Sequence, residues 1–321
     1  MSVTQQLPEL DPSSGLGQPA PVTEVTGGLP YAVGAGSRVR SGGTGQHGAA
    51  GGDRRGLVHG RGLVGLILLG ALVLAGVLAP ILAPYPPNEQ IAGANLLTPS
   101  AAHLFGTDHV NRDVFSRTLY GIRTDLLIVF VAVPIGALLG TLAALLGTVI
   151  GAVDVALQRV FDVLLAFPTL IFAIGLTAVI GPGAPTVIVV IAVLETPIFA
   201  RLLRSSILKV RALPYVETAE AIGATHGWVL RRHVLPNAVE PLGVQLALSP
   251  SLAVFVESAM SFLGIGVRPP QPSLGSLIAE GIDYVDSNLG FVLGPLIPVV
   301  ILVLSLQLIA QGLGAARRVT R

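Results

Sequence analysis

A chain of 321 residues that is 52% hydrophobic and only 12% charged, with a mean hydropathy of +0.76, is not composed for water, since soluble domains carry about 25% charged residues. A formal net charge of +1 with no long basic run excludes the phosphate neutralisation that nucleic-acid binding requires. The absence of cysteine removes disulfides, thiolate metal sites and a cysteine nucleophile.

Residues 1–56 are rich in Gly, Pro, Ser and Thr without apolar periodicity, which predicts a disordered cytoplasmic tail. The apolar run from Leu63 to Ala83 follows, about 21 residues at about 1.5 Å each, enough for a hydrocarbon core of about 30 Å. A cleaved signal peptide would have a shorter apolar core near the chain start. Hydropathy predicts five more spans at Leu126–Leu146, Val155–Ile180, Pro185–Leu203, Ala238–Leu263 and Leu289–Leu313. The expected architecture is an all-α integral membrane bundle of six transmembrane helices over 57–318, with a short tail at 319–321 and no internal repeat.

Charge placement orients that bundle. If both termini lie on one side, 15 of the 19 Lys and Arg residues share it, against 4 on the other, and without the tail the split is still 10 to 4. Such a bias predicts cytoplasmic termini. Gly136, Gly140, Ala143, Ala144 and Gly147 bring small side chains to one region, where helices can approach closely. Pro134, Pro168, Pro185, Pro197 and Pro250 each remove a backbone donor and are expected to break or kink a span.

The longest inside loop, 204–237, reads as two short helices separated by a glycine. Pro214 suits an opening helical position, where no amide donor is needed. Tyr215, Ala219 and Ile222 are expected to share its apolar face, with Glu217 and Glu220 in the first turns, where the helix dipole favours negative charge. Gly223 can take the left-handed conformation that ends this helix. A second helix is expected from His226 to His233, closed by Pro236.

Several blocks of this sequence carry a resemblance. Glu217-Thr218-Ala219, Gly223 and Val234-Leu235-Pro236 are similar to the EAA signature of ABC importer permeases, with Thr218 in place of the first alanine. His103-Leu104-Phe105-Gly106-Thr107-Asp108 with Asn111-Arg112-Asp113, then Asp162 to Pro168, then Ser261 to Gly275, resemble in the same order the C-type permeases of dipeptide, oligopeptide and nickel importers. The resemblance implies a type I importer permease fold and a multi-pass location in the cytoplasmic (inner) membrane of a prokaryote. It assigns ATPase coupling to Glu217, Ala219, Gly223, Leu235 and Pro236, within a surface that takes in Tyr215, Ala221 and Ala224. It further implies a second homologous permease, two ABC ATPase subunits and an extracellular substrate-binding protein as partners, besides the lipid bilayer. No cofactor is expected on this chain, ATP and Mg being held by the ATPase subunits. Dipeptides or oligopeptides are the implied cargo, with nickel or another small solute as the alternative.

Glu195 and Glu257 fall inside predicted spans, where an ionisable group normally faces a partner or a wet cavity, and are candidate pathway-lining residues. Asp108, Arg112, Asp113 and Arg117 are expected as exposed, locally paired charges between the first two spans. His226 and His233 lack acidic partners at ligand spacing and read as surface residues rather than a metal site. Trp228 fits either an interfacial anchor or part of the coupling surface. A membrane hydrolase would need a nucleophile with its base or a His-Glu-x-x-His metal pair, and neither occurs. A phosphate loop is also absent, so the chain is not expected to be an enzyme and its energy must come from elsewhere. A proton-coupled secondary transporter is the remaining alternative, and would need paired charges or paired broken helices in two halves.

Overall fold

The computed structural model describes residues 60–319, so the expected tail at 1–56 and the last two residues lie outside the described range. The described elements are α1 (Arg61–Val77), α2 (Ala79–Leu82), α3 (Val114–Val149), α4 (Gly151–Ala166), α5 (Thr169–Ile180), α6 (Ala184–Arg211), α7 (Pro214–Ala221), α8 (His226–Val229), a π-helical turn (Leu230–Val234), α9 (Leu235–Ala238), α10 (Glu240–Phe262), α11 (Leu274–Ile282) and α12 (Leu289–Val319). Four helices, α3, α6, α10 and α12, are long and apolar enough to cross a membrane, and the bent pair α4–α5 makes a fifth span if counted as one.

Six spans were expected, broken or kinked at their prolines, and two of the apolar runs are divided between helices. The run Leu63–Ala83 is not one helix: α1 stops after 17 residues and α2 adds a single turn. Pro80 is the cause, since it opens α2 and has no amide to continue the ladder. The run Val155–Ile180 divides into α4 and α5, bent by 99°. Here Phe167 is extended, at φ −79° and ψ 133°, as a residue before proline prefers, and Pro168 stands ahead of the next helix. Pro134, Pro197 and Pro250 instead remain inside continuous helices, and Pro185 sits in the first turn of α6.

Two other helices outrun their apolar stretches. α3 begins at Val114, three turns before Leu126, because Asp113 caps it by accepting from the Ser116 amide at 2.7 Å. α6 continues past Leu203 to Arg211, so the first two turns of the expected loop are helical. The polar beginning of α3 is not exposed, contrary to expectation. Asp108 accepts from Arg112 Nε at 2.6 Å, and Glu280 of α11 receives Arg112 at 3.0 Å and Arg117 at 3.3 Å. Arg117 and Asp108 are wholly buried. Mutual pairing of two cations with two anions is what permits this burial. Asn288 closes the same end by donating to the carbonyls of Leu97, Phe105 and Thr107.

The small residues of α3 do bring helices together. A Cβ on Gly136 would stand 2.6 Å from the Glu195 Cβ and 2.8 Å from the Ala192 carbonyl oxygen, and one on Gly140 would meet Thr196 O and Phe199 Cβ, all on α6. Gly140→Val is therefore expected to force α3 off α6 and cost about 1–3 kcal/mol. Thermal unfolding in detergent checks this, and a midpoint equal to that of the unsubstituted protein would refute it.

Candidate coupling elbow and intramembrane carboxyl groups

Residues 212–239, between α6 and α10, form a helical elbow. Its first arm, α7, has Pro214 in its first turn and Glu217 near the N-terminal dipole. Gly223, at φ 95°, ends that arm. Its amide donates to Glu220 O at 3.0 Å while the Ala224 amide donates to Ala219 O at 3.1 Å. This crossed pair of bonds is the Schellman closure, completed by packing of Ala224 near Ala219.

The second arm is longer than its expected end at His233. α8 runs into the π turn and then α9, so Pro236 lies within a continuing helical path rather than closing it. The wider π turn just ahead of the proline relieves the clash its ring would make with the preceding turn.

The buried face of α7 is Val216 and Ala219, not Tyr215, Ala219 and Ile222. Tyr215 is 44% exposed and Ile222, just past the helix end, 81%. Val216 and Ala219 join Val229, Val234 and Ala238 of the second arm against Leu203 and Ile207 of α6 and Ala144 of α3. The elbow is thus bonded by its underside to two spans. Outside it presents Tyr215, Glu217, Ala221, Ile222, Gly223, Trp228 and Pro236, with Ala224 and Leu235 half-buried. His233 ties the arms, its ring 5.0 Å from Trp228 and 6.1 Å from Tyr215, and Asn237 Nδ2 donates to His233 O at 2.7 Å. His226 is exposed and meets Glu220 at 3.1 Å. Among the described residues no cluster of His, Cys, Asp and Glu could hold a metal ion.

The two intramembrane glutamates are placed apart. Glu195 on α6 accepts from Ser249 Oγ at 2.6 Å and borders a 280 Å³ cleft between α5, α6 and α10. Glu257 on α10 is fully enclosed, accepting from Ser261 Oγ at 2.8 Å and Ser258 Oγ at 3.3 Å. It faces Asp125 of α3, a residue not singled out in the sequence, whose Oδ2 accepts from the Leu274 amide at 3.3 Å. Both carboxyl groups therefore gather at the N-terminus of α11, beside the capping box of Ser273 and Ser276. Two features could have been read earlier: Arg201 and Arg204 three positions apart, and the Ser273-x-x-Ser276 helix start.

Long apolar helices with a helical elbow packed against two of them define an integral membrane component. The chain belongs to the family of binding-protein-dependent transport system inner membrane components, which matches residues 126–319, and residues 57–99 match the N-terminal TM domain of oligopeptide transport permease C. It is 34% identical over 252 residues to a dipeptide transport system permease protein of Alkalihalophilus pseudofirmus, covering 78% of this chain and 83% of that one. It is 38% identical over 260 residues to a putative peptide transport system permease protein of Brucella abortus, covering 81% and 88%. A di/tripeptide transport system permease protein of Pseudomonas aeruginosa is 35% identical over 263 residues, covering 79% and 87%. The fold is similar to that of the MetNI methionine ABC transporter in an inward-facing conformation, at TM-score 0.50 and 21% identity over 64% of this chain and 97% of that one.

Proposed function

We propose that this chain is a permease subunit of an ATP-driven peptide importer, forming half of the translocation pathway with a second homologous permease. Two separate ABC ATPase subunits, which hold ATP and Mg, engage the elbows of the two permeases, and an extracellular binding protein delivers the cargo. The charge distribution supports cytoplasmic termini and elbow, in the inner membrane of a prokaryote. Dipeptides or oligopeptides are favoured as cargo because the relatives above are named for them.

One observation carries this reading. The elbow is clamped beneath by Val216, Ala219, Val229 and Val234, yet leaves Tyr215, Ile222 and Trp228 in the open. Apolar side chains exposed together on a rigid polar surface mark a partner's seat. Closure of the ATPase pair on ATP would draw two such elbows together and open the path outward, and hydrolysis would reset it. Glu195, beside its cleft, is the better placed of the two glutamates to border that path, whereas Glu257 holds α11 from within.

The chain has no cysteine of its own, which makes the test direct. Ile222→Cys in the assembled transporter is expected to cross-link to the ATPase subunit, and Val216→Cys, 1% exposed, is not. Equal capture at both positions, or none at Ile222, would refute the docking role.

A further inference from the structure

α4 is a helix with little of itself inside the protein: Phe161 is its one buried residue. Two aspartates nevertheless fasten it to α6. Arg204 forks onto Asp154, Nε to Oδ1 at 2.7 Å and Nη2 to Oδ2 at 2.7 Å. Arg201 Nη2 donates to Asp162 Oδ1 at 2.7 Å. Room for the first fork is left by Gly147 on α3, where a Cβ would stand 3.1 Å from Asp154 Oδ1.

These pairs contribute little to stability. Arg204 and Asp154 side chains are 39% and 23% exposed, and Arg201 and Asp162 38% and 56%. Exposed pairs of this kind are worth about 0–1 kcal/mol. What a bidentate fork does supply is geometry, since two parallel bonds fix both the distance and the angle between the helices that carry them.

The same end of α6 is the elbow's root. From Arg204 the helix runs unbroken to Arg211, about 10 Å. Within that stretch Ile207, with Leu203 just before it, is packed against Val216 and Ala219 of α7. A displacement of the elbow must therefore carry the arginines with it. Beyond Asp162, α4 ends at the Phe167–Pro168 break, where the chain bends by 99° into α5.

We infer that Asp154 and Asp162 are positioning residues for transport: through Arg204 and Arg201 they pass movement of the elbow to α4 and so to the break at Phe167–Pro168. This rests on the elbow being the seat of the ATPase.

The test uses the complete transporter in liposomes, reading ATP turnover, uptake per ATP hydrolysed, and cross-linking from Ile222→Cys to the ATPase. Asp154→Asn with Asp162→Asn is expected to keep the cross-link and the ATP turnover while uptake per ATP falls about two- to fivefold, the range an exposed ion pair can bias. The exchange Asp154→Arg with Arg204→Asp, made together with Asp162→Asn, is expected to regain part of that loss by restoring the Asp154 to Arg204 pair in reverse. Unchanged uptake per ATP in the double asparagine variant would overturn the proposal and leave the docking role standing. A loss that tracks only a lower amount of assembled transporter, with no recovery in the exchange, would also overturn it, as fixing a structural role alone. If Ile222→Cys captures no ATPase in the otherwise unsubstituted chain, the docking role fails instead and this inference with it.

Discussion

Arg117→Met is expected to destabilise the folded chain by about 3–5 kcal/mol, the cost of leaving a buried charge without its counterion. Arg117 is 0% exposed, and with Arg112 it balances Asp108 and Glu280. Methionine fills a similar volume but leaves one negative charge in excess beside the fully buried Asp108. Adding Glu280→Gln to Arg117→Met returns the cluster to neutrality and should recover much of the loss, because replacing both partners costs less than removing one. Arg117 Nε and Nη1 have no acceptor, so the native arrangement is itself incompletely satisfied, which favours that recovery. Thermal unfolding of the two variants in one detergent checks this order. Equal midpoints for Arg117→Met and the unsubstituted chain would show that the cluster does not hold residues 91–113 to α11.

At Gly223 the expected effect falls on transport more than on folding. Its φ of 95° is in the region that L side chains avoid, at a cost of about 1–2 kcal/mol. No neighbouring atom lies within 4 Å of a Cβ built there, so backbone strain alone sets the penalty. That strain corresponds to about a five- to thirtyfold shift between the crossed hydrogen-bonded turn and an opened one. Asparagine tolerates a positive φ better than alanine, and a β-branched residue least. Substrate-stimulated ATP turnover, compared at equal assembly, should therefore fall in the order Gly, Asn, Ala, Val. A valine variant with undiminished coupling would mean that the angle between the two arms is irrelevant to the ATPase.

Much of the scaffold was legible from solvent preference. Glu240–Phe262 and the start of α12 at Leu289 lie where hydropathy placed them, because an apolar run of that length has one way to satisfy its backbone in lipid. Proline was the weaker guide. Pro134, Pro197 and Pro250 stay inside helices while Pro168 breaks one, so the residue type alone does not decide the outcome. α11 escaped notice because nine residues are too few for a hydropathy window, and its partners Asp125 and Glu257 come from distant parts of the chain.

In the elbow, the glycine stop and the proline start were readable, since each follows from one residue's own backbone limits. Its inward face was not. Tyr215 and Ile222 are apolar enough to suggest burial, yet the entry of the chain from α6 turns Val216 and Ala219 to the bundle. Likewise Arg117 and Arg112 looked like water-facing charges because their counter-charge, Glu280, lies far along the sequence.

The turn between α4 and α5 has a consequence for what can surround the subunit. Ala166, Phe167, Pro168 and Thr169 are all exposed, and neither flanking helix end has a side-chain cap. Acyl chains offer no hydrogen to an orphan carbonyl, at a cost of several kcal/mol per group. That flank of the molecule can therefore be bathed by water or sheathed by other polypeptide, but it cannot be the side turned to the fatty interior of the bilayer.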